Sequence, residues 1–311
     1  MSTQRYSLGS WGVLESEVDF PELVAAGEEP TFRFHIEFNS LSHVHGREVQ
    51  SWELPDGQEW LRIYDAESNY LFAFPGYAHF EVSRDFRDAI CCPQRSVQRE
   101  TLRHLFLDQV LPLMMAARGE TVLHGSAVVI EGRAVVFLGT SGAGKSTIAV
   151  KLASLGYPLL TDDCLLVRFG TDEMLACPSY PGARLFEPMI ETIFERNAAT
   201  SAVAEYTSKR RVDLDRTLLT LQGGPIPVGA GFVVTEGQSD VAWRPLHGSE
   251  RLVELAKYKY RFDPANQESL RKELSALVRL AQYPLYEFSY RRSTESLQQI
   301  EASVLTALKN A

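Results

Sequence analysis

Residues 139–146 of this 311-residue chain read Gly139-Thr140-Ser141-Gly142-Ala143-Gly144-Lys145-Ser146, which fits the pattern G-x-x-x-x-G-K-[ST] at every fixed position. The apolar run 134–138 before it predicts a buried strand, and residues 147–153 after it predict a helix. Glycines let the backbone wrap around phosphate oxygens, and a helix N-terminus attracts negative charge. The alternative is a glycine-rich turn with an incidental lysine.

The pattern therefore predicts a site for the phosphates of a nucleotide. We expect Lys145 to reach the β and γ phosphates and the Ser146 hydroxyl to ligate Mg²⁺. The expected binding residues are Gly139, Thr140, Ser141, Gly142, Ala143, Gly144, Lys145, Ser146 and Thr147.

Composition limits the class of protein. The chain is 45% hydrophobic, which is enough for a large core and favours two domains. It contains no apolar run long enough for a membrane span and no signal-peptide core, so we expect a cytoplasmic protein that does not enter a membrane. A net charge of −9 counts against general nucleic-acid binding. The four cysteines show no zinc-binding spacing and are expected to be reduced thiols: Cys91, Cys92, Cys164 and Cys177.

The periodicity of apolar residues changes near Gln98. Before it, residues 60–64, 70–74 and 79–82 predict strands of an antiparallel meander. After it, residues 100–117 show helical spacing. We therefore predict a β-rich N-terminal domain over residues 1–97 and a second, α/β domain over residues 98–311.

The second domain is expected to mix strands and helices. A two-stranded hairpin, 122–130 and 134–138, leads into the glycine loop. The other predicted strands are 157–163, 164–168, 226–235 and 286–290, and the predicted helices are 248–257, 267–281 and 293–309, the last capped by Ser293 or Thr294.

Two adjacent carboxylates, Asp162 and Asp163, end the first predicted strand after the loop helix. At a strand end the backbone can turn, so that both side chains approach the phosphates. One carboxylate, with Asp162 as our candidate, could hold Mg²⁺ directly or through water. The other could accept a proton from an attacking hydroxyl. The alternative is that Asp163 only begins a turn or pairs with Arg168.

His124 lies in an apolar predicted strand, immediately before Gly125. A lone histidine in such a strand is usually a core residue whose hydrogen bonds are satisfied. Its place in the hairpin that leads into the glycine loop favours a second reading, in which the imidazole donates a hydrogen bond to a γ-phosphate or senses its charge.

These features together resemble the C-terminal catalytic domain of HPr kinase/phosphorylase. The resemblance rests on Leu123-His124-Gly125, the loop at 139–146 and Asp162-Asp163, with intervals of 21 residues from His124 to Lys145 and 18 from Lys145 to Asp163. It covers about residues 120–167. It implies that His124 and Lys145 are active-site residues, that Asp163 is the proton acceptor for a substrate serine and that Ser146 ligates the metal.

The resemblance also implies a P-loop kinase domain related to phosphoenolpyruvate carboxykinase, with a mixed sheet and flanking helices, here preceded by a smaller β-rich N-terminal domain. The chain departs from the family in three places. Glu187, in the region 177–188, is the candidate for the family's metal-binding glutamate, and 208–212 is the candidate for its later catalytic arginine or else a solvated surface run. The N-terminal region is also unlike that of the authentic enzyme. Relatives with such N-terminal parts include kinases encoded with lasso-peptide and other biosynthesis genes.

The resulting interpretation is an ATP-dependent kinase that uses ATP and Mg²⁺ to phosphorylate a serine-type hydroxyl of a peptide or protein other than HPr. Residues 1–97 would help to select the acceptor. The alternatives are a kinase of a small hydroxylated metabolite such as free serine, and a nucleotide-binding regulatory module without catalysis. A carboxykinase-like enzyme is not favoured, because this chain lacks the sequence landmarks of oxaloacetate binding. The sequence does not decide whether the protein forms a homo-oligomer.

Overall fold

The computed structural model describes residues 3–38, 46–54, 56–94, 96–171, 173–180, 182–194, 198–213, 224–238 and 241–309. These residues form three sheets with helices packed against them, which confirms the predicted α/β class. Among them, no helix has both the length and the apolar character needed to cross a membrane. All four cysteines are free and buried.

The first sheet has nine strands in the order β3-β1-β2-β4-β9-β8-β7-β6-β5. The predicted antiparallel meander is confirmed for β5 to β9, but β4 pairs in parallel with both β2 and β9, which the local sequence pattern did not indicate. The strands are β1 Gln4–Ser7, β2 Val13–Ser16, β3 Val24–Ala25, β4 Phe32–Ile36, β5 Arg47–Glu53, β6 Glu59–Asp65, β7 Asn69–Phe74, β8 Ala78–Ser83 and β9 Asp88–Pro93.

A helical segment connects this sheet to the rest of the chain. It consists of α1 (Arg99–Leu105), a π-helical segment (Phe106–Val110) and α2 (Leu111–Ala117), and so confirms the helix predicted over 100–117. Phe106 stacks on Phe34 of β4 at a ring-centroid distance of 4.4 Å. One hydrophobic cluster contains buried residues from both sides of Gln98, and the division into domains at that residue stays a prediction.

The second sheet combines antiparallel and parallel pairs, and a third, three-stranded sheet lies beside it in the order β15-β17-β16. The strands of the second sheet are β10 Thr121–Ile130, β11 Arg133–Leu138, β12 Leu159–Thr161, β13 Cys164–Phe169, β14 Met174–Cys177, β18 Ile226–Glu236, β19 Val241–Pro245 and β20 Leu285–Tyr290. Those of the third are β15 Ala183–Leu185, β16 Thr200–Ala204 and β17 Thr207–Val212.

Within the described residues there are five further helices: α3 Lys145–Ser154, α4 Glu187–Phe194, α5 Ser249–Lys257, α6 Gln267–Leu280 and α7 Thr294–Leu308. The predicted cap of the last helix is confirmed, because the Ser293 hydroxyl accepts a hydrogen bond from the Ser296 amide at 3.2 Å. Buried apolar residues of α3 and α7 share one cluster with the second sheet, which fixes the glycine loop between that sheet and α3.

Candidate active site

The glycine loop lies between the end of β11 at Leu138 and the start of α3 at Lys145, as the sequence predicts. Gly144 has a φ of +103°, and a Cβ atom there would lie 2.0 Å from the Tyr290 hydroxyl oxygen. That hydroxyl donates to the Gly144 carbonyl at 3.4 Å. Both the backbone conformation and the space therefore require glycine.

Replacing Gly144 by alanine is expected to deform the loop and weaken ATP binding. A non-glycine residue in a disfavoured conformation costs about 1–3 kcal/mol, and the clash with Tyr290 adds to it. Gly132 is a matched control: its φ is +76° but a Cβ there meets open space. Calorimetric titration with ATP and Mg²⁺ should show a loss for Gly144→Ala and none for Gly132→Ala; equal affinities would contradict the predicted role of this loop.

The Lys145 amino group is folded back onto its own loop. It donates to the carbonyls of Gly139 at 2.9 Å and Thr140 at 3.1 Å, and to the Nε2 atom of His124 at 3.0 Å. The side chain is buried, and this burial lowers the pKa of its ammonium group. Lys145 thus lies at the mouth of the loop and connects it to β10.

The histidine-glycine pair marks the point at which β10 changes partner. Residues up to His124 pair with β13, whereas Gly125 and the residues after it pair with β11. A Cβ atom on Gly125 would lie 2.8 Å from both the Leu138 side chain and the Phe137 carbonyl. Glycine is therefore needed for β11 to approach closely, and this approach brings His124 to the loop.

The His124 ring is neutral near pH 7. Its Nδ1–H donates to the Asp163 carbonyl at 3.1 Å, and its Nε2 accepts from Lys145. Burial, followed by the charge of Lys145, lowers its pKa to about 4. This geometry does not favour charge sensing near neutral pH, because both ring nitrogens are engaged and the ring does not titrate there.

Asp162 faces inward. Its Oδ1 accepts from the Ser126 hydroxyl at 2.6 Å and its Oδ2 from the Arg184 backbone N–H at 3.1 Å. Burial and the neighbouring Asp163 charge raise its pKa. Asp162 therefore connects β10 with β15.

Asp163 points the other way and has a φ of +64°, in the left-handed region that Asp and Asn tolerate better than most residues. Its Oδ2 is 2.8 Å from Nη1 of Arg184. Burial acts to raise its pKa, but Arg184 and then Lys209 outweigh it and hold the pKa well below its usual range. The expected alternative partner, Arg168, instead approaches Glu120 at 3.9 Å.

A cleft beside the glycine loop brings most of these groups together and contains about 490 Å³ of space, including space open to solvent. His124, Lys145, Ser146 and Asp163 all line it. The other lining residues are Ser141, Gly142, Gly144, Thr147, Arg184, Leu185, Phe186, Met189, Lys209 and Arg292.

Sequence reasoning missed Arg184 and Arg292 and only bracketed Lys209 within the run 208–212. Arg292 donates to the Gly142 carbonyl, and Lys209 contacts the ring of Phe186 with its amino group 5.8 Å from the centroid. The candidate metal ligand Glu187 is exposed and is not part of the cleft lining. No local pattern distinguishes Arg184, because its partners lie far away in the sequence.

The groups present fit a magnesium ion bound largely by phosphates. Within the described ranges, no cluster of three or more His, Cys, Asp or Glu residues could form an all-protein metal site. Mg²⁺ usually keeps several waters and binds one or two protein groups together with substrate phosphates. Ser146 could supply a direct ligand, and Asp162, whose two oxygens already accept hydrogen bonds, could act on the ion through Ser146 or water.

Comparison with known proteins shows a short but specific similarity. No protein-family model matches the chain. Over 48 residues, or 15% of the chain, it is 42% identical to HPr kinase/phosphorylase from Bacillus pumilus and, equally, from Bacillus licheniformis. The matched segment spans only 16% of the length of each of these curated relatives.

A solved structure, the HPr(Ser) kinase/phosphatase from Coxiella burnetii, matches with a TM-score of 0.32 and 10% identity over 61% of this chain and 97% of that one. The sequence similarity over the 48-residue segment confirms the predicted resemblance to the HPr kinase/phosphorylase family.

Proposed function

We propose that this protein is an ATP-dependent kinase that transfers the γ-phosphate to a serine-type hydroxyl of a peptide or protein. The observation that carries the proposal is the cleft in which a glycine loop, the Lys145 ammonium and the Asp163 carboxylate lie together. The loop would bind the phosphates of ATP, and the carboxylate would take the proton from the acceptor hydroxyl.

Each side chain has a distinct role in this mechanism. The loop amides and Lys145 hold the β and γ phosphates, while Lys209 and Arg292 add positive charge at the cleft. The acceptor oxygen forms a bond to the γ-phosphorus as the bond from that phosphorus to the β–γ bridging oxygen breaks. The acceptor's proton passes to the Asp163 carboxylate, and ADP leaves with the bridging oxygen. Mg²⁺, held through Ser146, would neutralise charge on the phosphates.

The low pKa of Asp163 is compatible with this role. A carboxylate paired with Arg184 is ionised at neutral pH and can accept a proton without first losing one. Phosphoryl transfer depends mainly on positioning and charge stabilisation, so a weak base in the right place suffices.

The N-terminal region contacts a strand that lines the cleft. Glu22, in the segment between β2 and β3, is 3.3 Å from Arg103 of α1 and 3.5 Å from Arg211 of β17. Strand β17 also carries Lys209, which lines the cleft. These contacts support our proposal that residues 1–97 help to select the acceptor.

We expect little or no phosphorylation of HPr, because the region after Cys177 differs from the family pattern and acceptor contacts are the part of a reused fold that changes most freely. The test incubates the protein with labelled ATP and Mg²⁺ together with HPr, free serine or peptides encoded beside its gene, followed by mass analysis of the products. Phosphate on a peptide serine would support the proposal.

Other outcomes would change the proposed function. Phosphate only on free serine would make the protein a metabolite kinase, and stoichiometric phosphorylation of HPr would make it an ordinary HPr kinase. ATP binding without transfer to any acceptor would favour a regulatory module.

A further inference from the structure

A chain of buried charged groups leads from the cleft to the helical segment that follows the first sheet. At its centre is the Arg184 guanidinium, with only 1% of the side chain exposed. Its Nη1 lies 2.8 Å from Asp163 Oδ2, and its Nη2 lies 2.8 Å from Asp108 Oδ1. One guanidinium is therefore ion-paired with two carboxylates, one in the cleft and one behind it.

Asp108 is itself fixed from several sides. It is 2% exposed, and the Tyr180 hydroxyl donates to its Oδ1 at 2.5 Å. Its Oδ2 lies 2.5 Å from Nδ1 of His104, one helical turn earlier. The His104 ring in turn stacks on Tyr206 at 5.7 Å between centroids. Both carboxylate oxygens are thus occupied, which leaves Asp108 little freedom to move.

The helix departs from α-helical geometry where it carries Asp108. Residues Phe106–Val110 form a π-helical turn between two α-helical segments. Such turns are rare and occur frequently at functional sites. Here the turn aims Phe106 at the first sheet and Asp108 at Arg184.

We propose that Asp108 is a positioning residue for the candidate proton acceptor: it holds Arg184, and Arg184 orients the Asp163 carboxylate in the cleft. The inference rests on the proposed function. It assigns a role to a residue that lies outside every sequence motif of the site. The π-helical turn would then serve two purposes: it packs against the first sheet and it orients Asp163.

The first experiment measures the phosphotransfer kinetics of Asp108→Asn. Asparagine keeps the shape of the side chain but carries no charge to pair with Arg184. We expect kcat to fall about 10- to 100-fold, by analogy with outer partners that orient metal ligands, while KM for ATP stays nearly constant because the loop is not touched. Asp213→Asn, which removes a charge from an exposed position after β17, is the matched control and should leave kcat unchanged.

The second experiment separates positioning from general structural support. In an Asp163→Asn background, Asp108→Asn should lower kcat little further, because its effect passes through a carboxylate that is already gone. Additive losses in kcat, or a folded Asp108→Asn protein with wild-type kcat, would overturn the proposal. If Asp108→Asn does not fold, Tyr180→Phe removes only one donor to Asp108 and should show the same dependence on Asp163, with a smaller loss.

A third measurement does not need catalysis. The same double-mutant cycle on thermal unfolding reports whether Asp108 and Asp163 are coupled through Arg184. If the wild type transfers phosphate to no acceptor, the proposed function fails, and this stability cycle alone tests whether Asp108 and Asp163 are linked through Arg184. Coupled stability losses would support that link, and additive losses would overturn it.

Discussion

Replacing Lys145 by alanine is expected to abolish phosphotransfer and weaken ATP binding. In the proposed mechanism the ammonium group is the cation at the phosphates, and removal of one such preorganised charged or polar group typically costs roughly 10²–10³-fold in kcat. The change also removes the Lys145 hydrogen bond to the buried Gly139 carbonyl and one of the hydrogen bonds to the Thr140 carbonyl. We therefore expect the loop itself to lose its fixed conformation, in addition to the lost charge.

Lys151 provides the matched control for this prediction. It lies in the last turn of the same helix, α3, and is not part of the cleft lining. Calorimetric ATP titration and labelled phosphate transfer should be impaired for Lys145→Ala and near wild type for Lys151→Ala. Unchanged affinity and activity in Lys145→Ala would remove the basis for the nucleotide site.

Replacing Asp163 by asparagine is expected to leave nucleotide binding largely intact and to lower transfer by about 10²–10⁴-fold, the usual contribution of a general base. Asparagine is the right substitution because it tolerates the positive φ that Asp163 adopts, whereas alanine would add backbone strain. The substitution thus removes the proposed proton acceptor and the charge paired with Arg184 without changing the shape of the turn.

Asp213→Asn removes the same charge from an exposed position after β17 and should not change the rate. A near wild-type rate for Asp163→Asn would move the base elsewhere, first to Asp162.

The wild type and Asp163→Asn should also differ in their stability at acid pH. Because Arg184 lowers the pKa of Asp163, the pair stabilises the wild type above the unfolded carboxyl pKa of about 3.9, and this advantage over Asp163→Asn should shrink as pH falls below that value.

The local features of the site could be predicted from the sequence because each has a local cause. The glycine loop needs strand, glycine and helix in immediate succession, and β11, the loop and α3 follow one another as expected. The Ser293 cap is set by residues within one helical turn. The meander of β5 to β9 follows from short aromatic strands separated by turns.

Arg184 and Asp108 could not be predicted because their roles depend on contacts across the fold. Arg184 meets Asp163 at a separation of 21 residues, and Asp108 joins them from a helix that precedes the second sheet. The parallel pairing of β4 with β2 and β9 is likewise non-local. Periodicity identifies the helix over 100–117, but it gives no signal for a π-helical turn that redirects one carboxylate.

The contact between Gly144 and Tyr290 has a consequence for how the protein is made. A chain emerging from the ribosome carries the whole loop motif once residue 146 has been synthesised. The loop's backbone supports come much later: β18 pairs with β11, Tyr290 closes on Gly144, and Arg292 donates to Gly142. A nascent chain that has not yet reached residue 292 therefore has the motif without these supports, and a nucleotide bound at the loop would stabilise the fold only after that point.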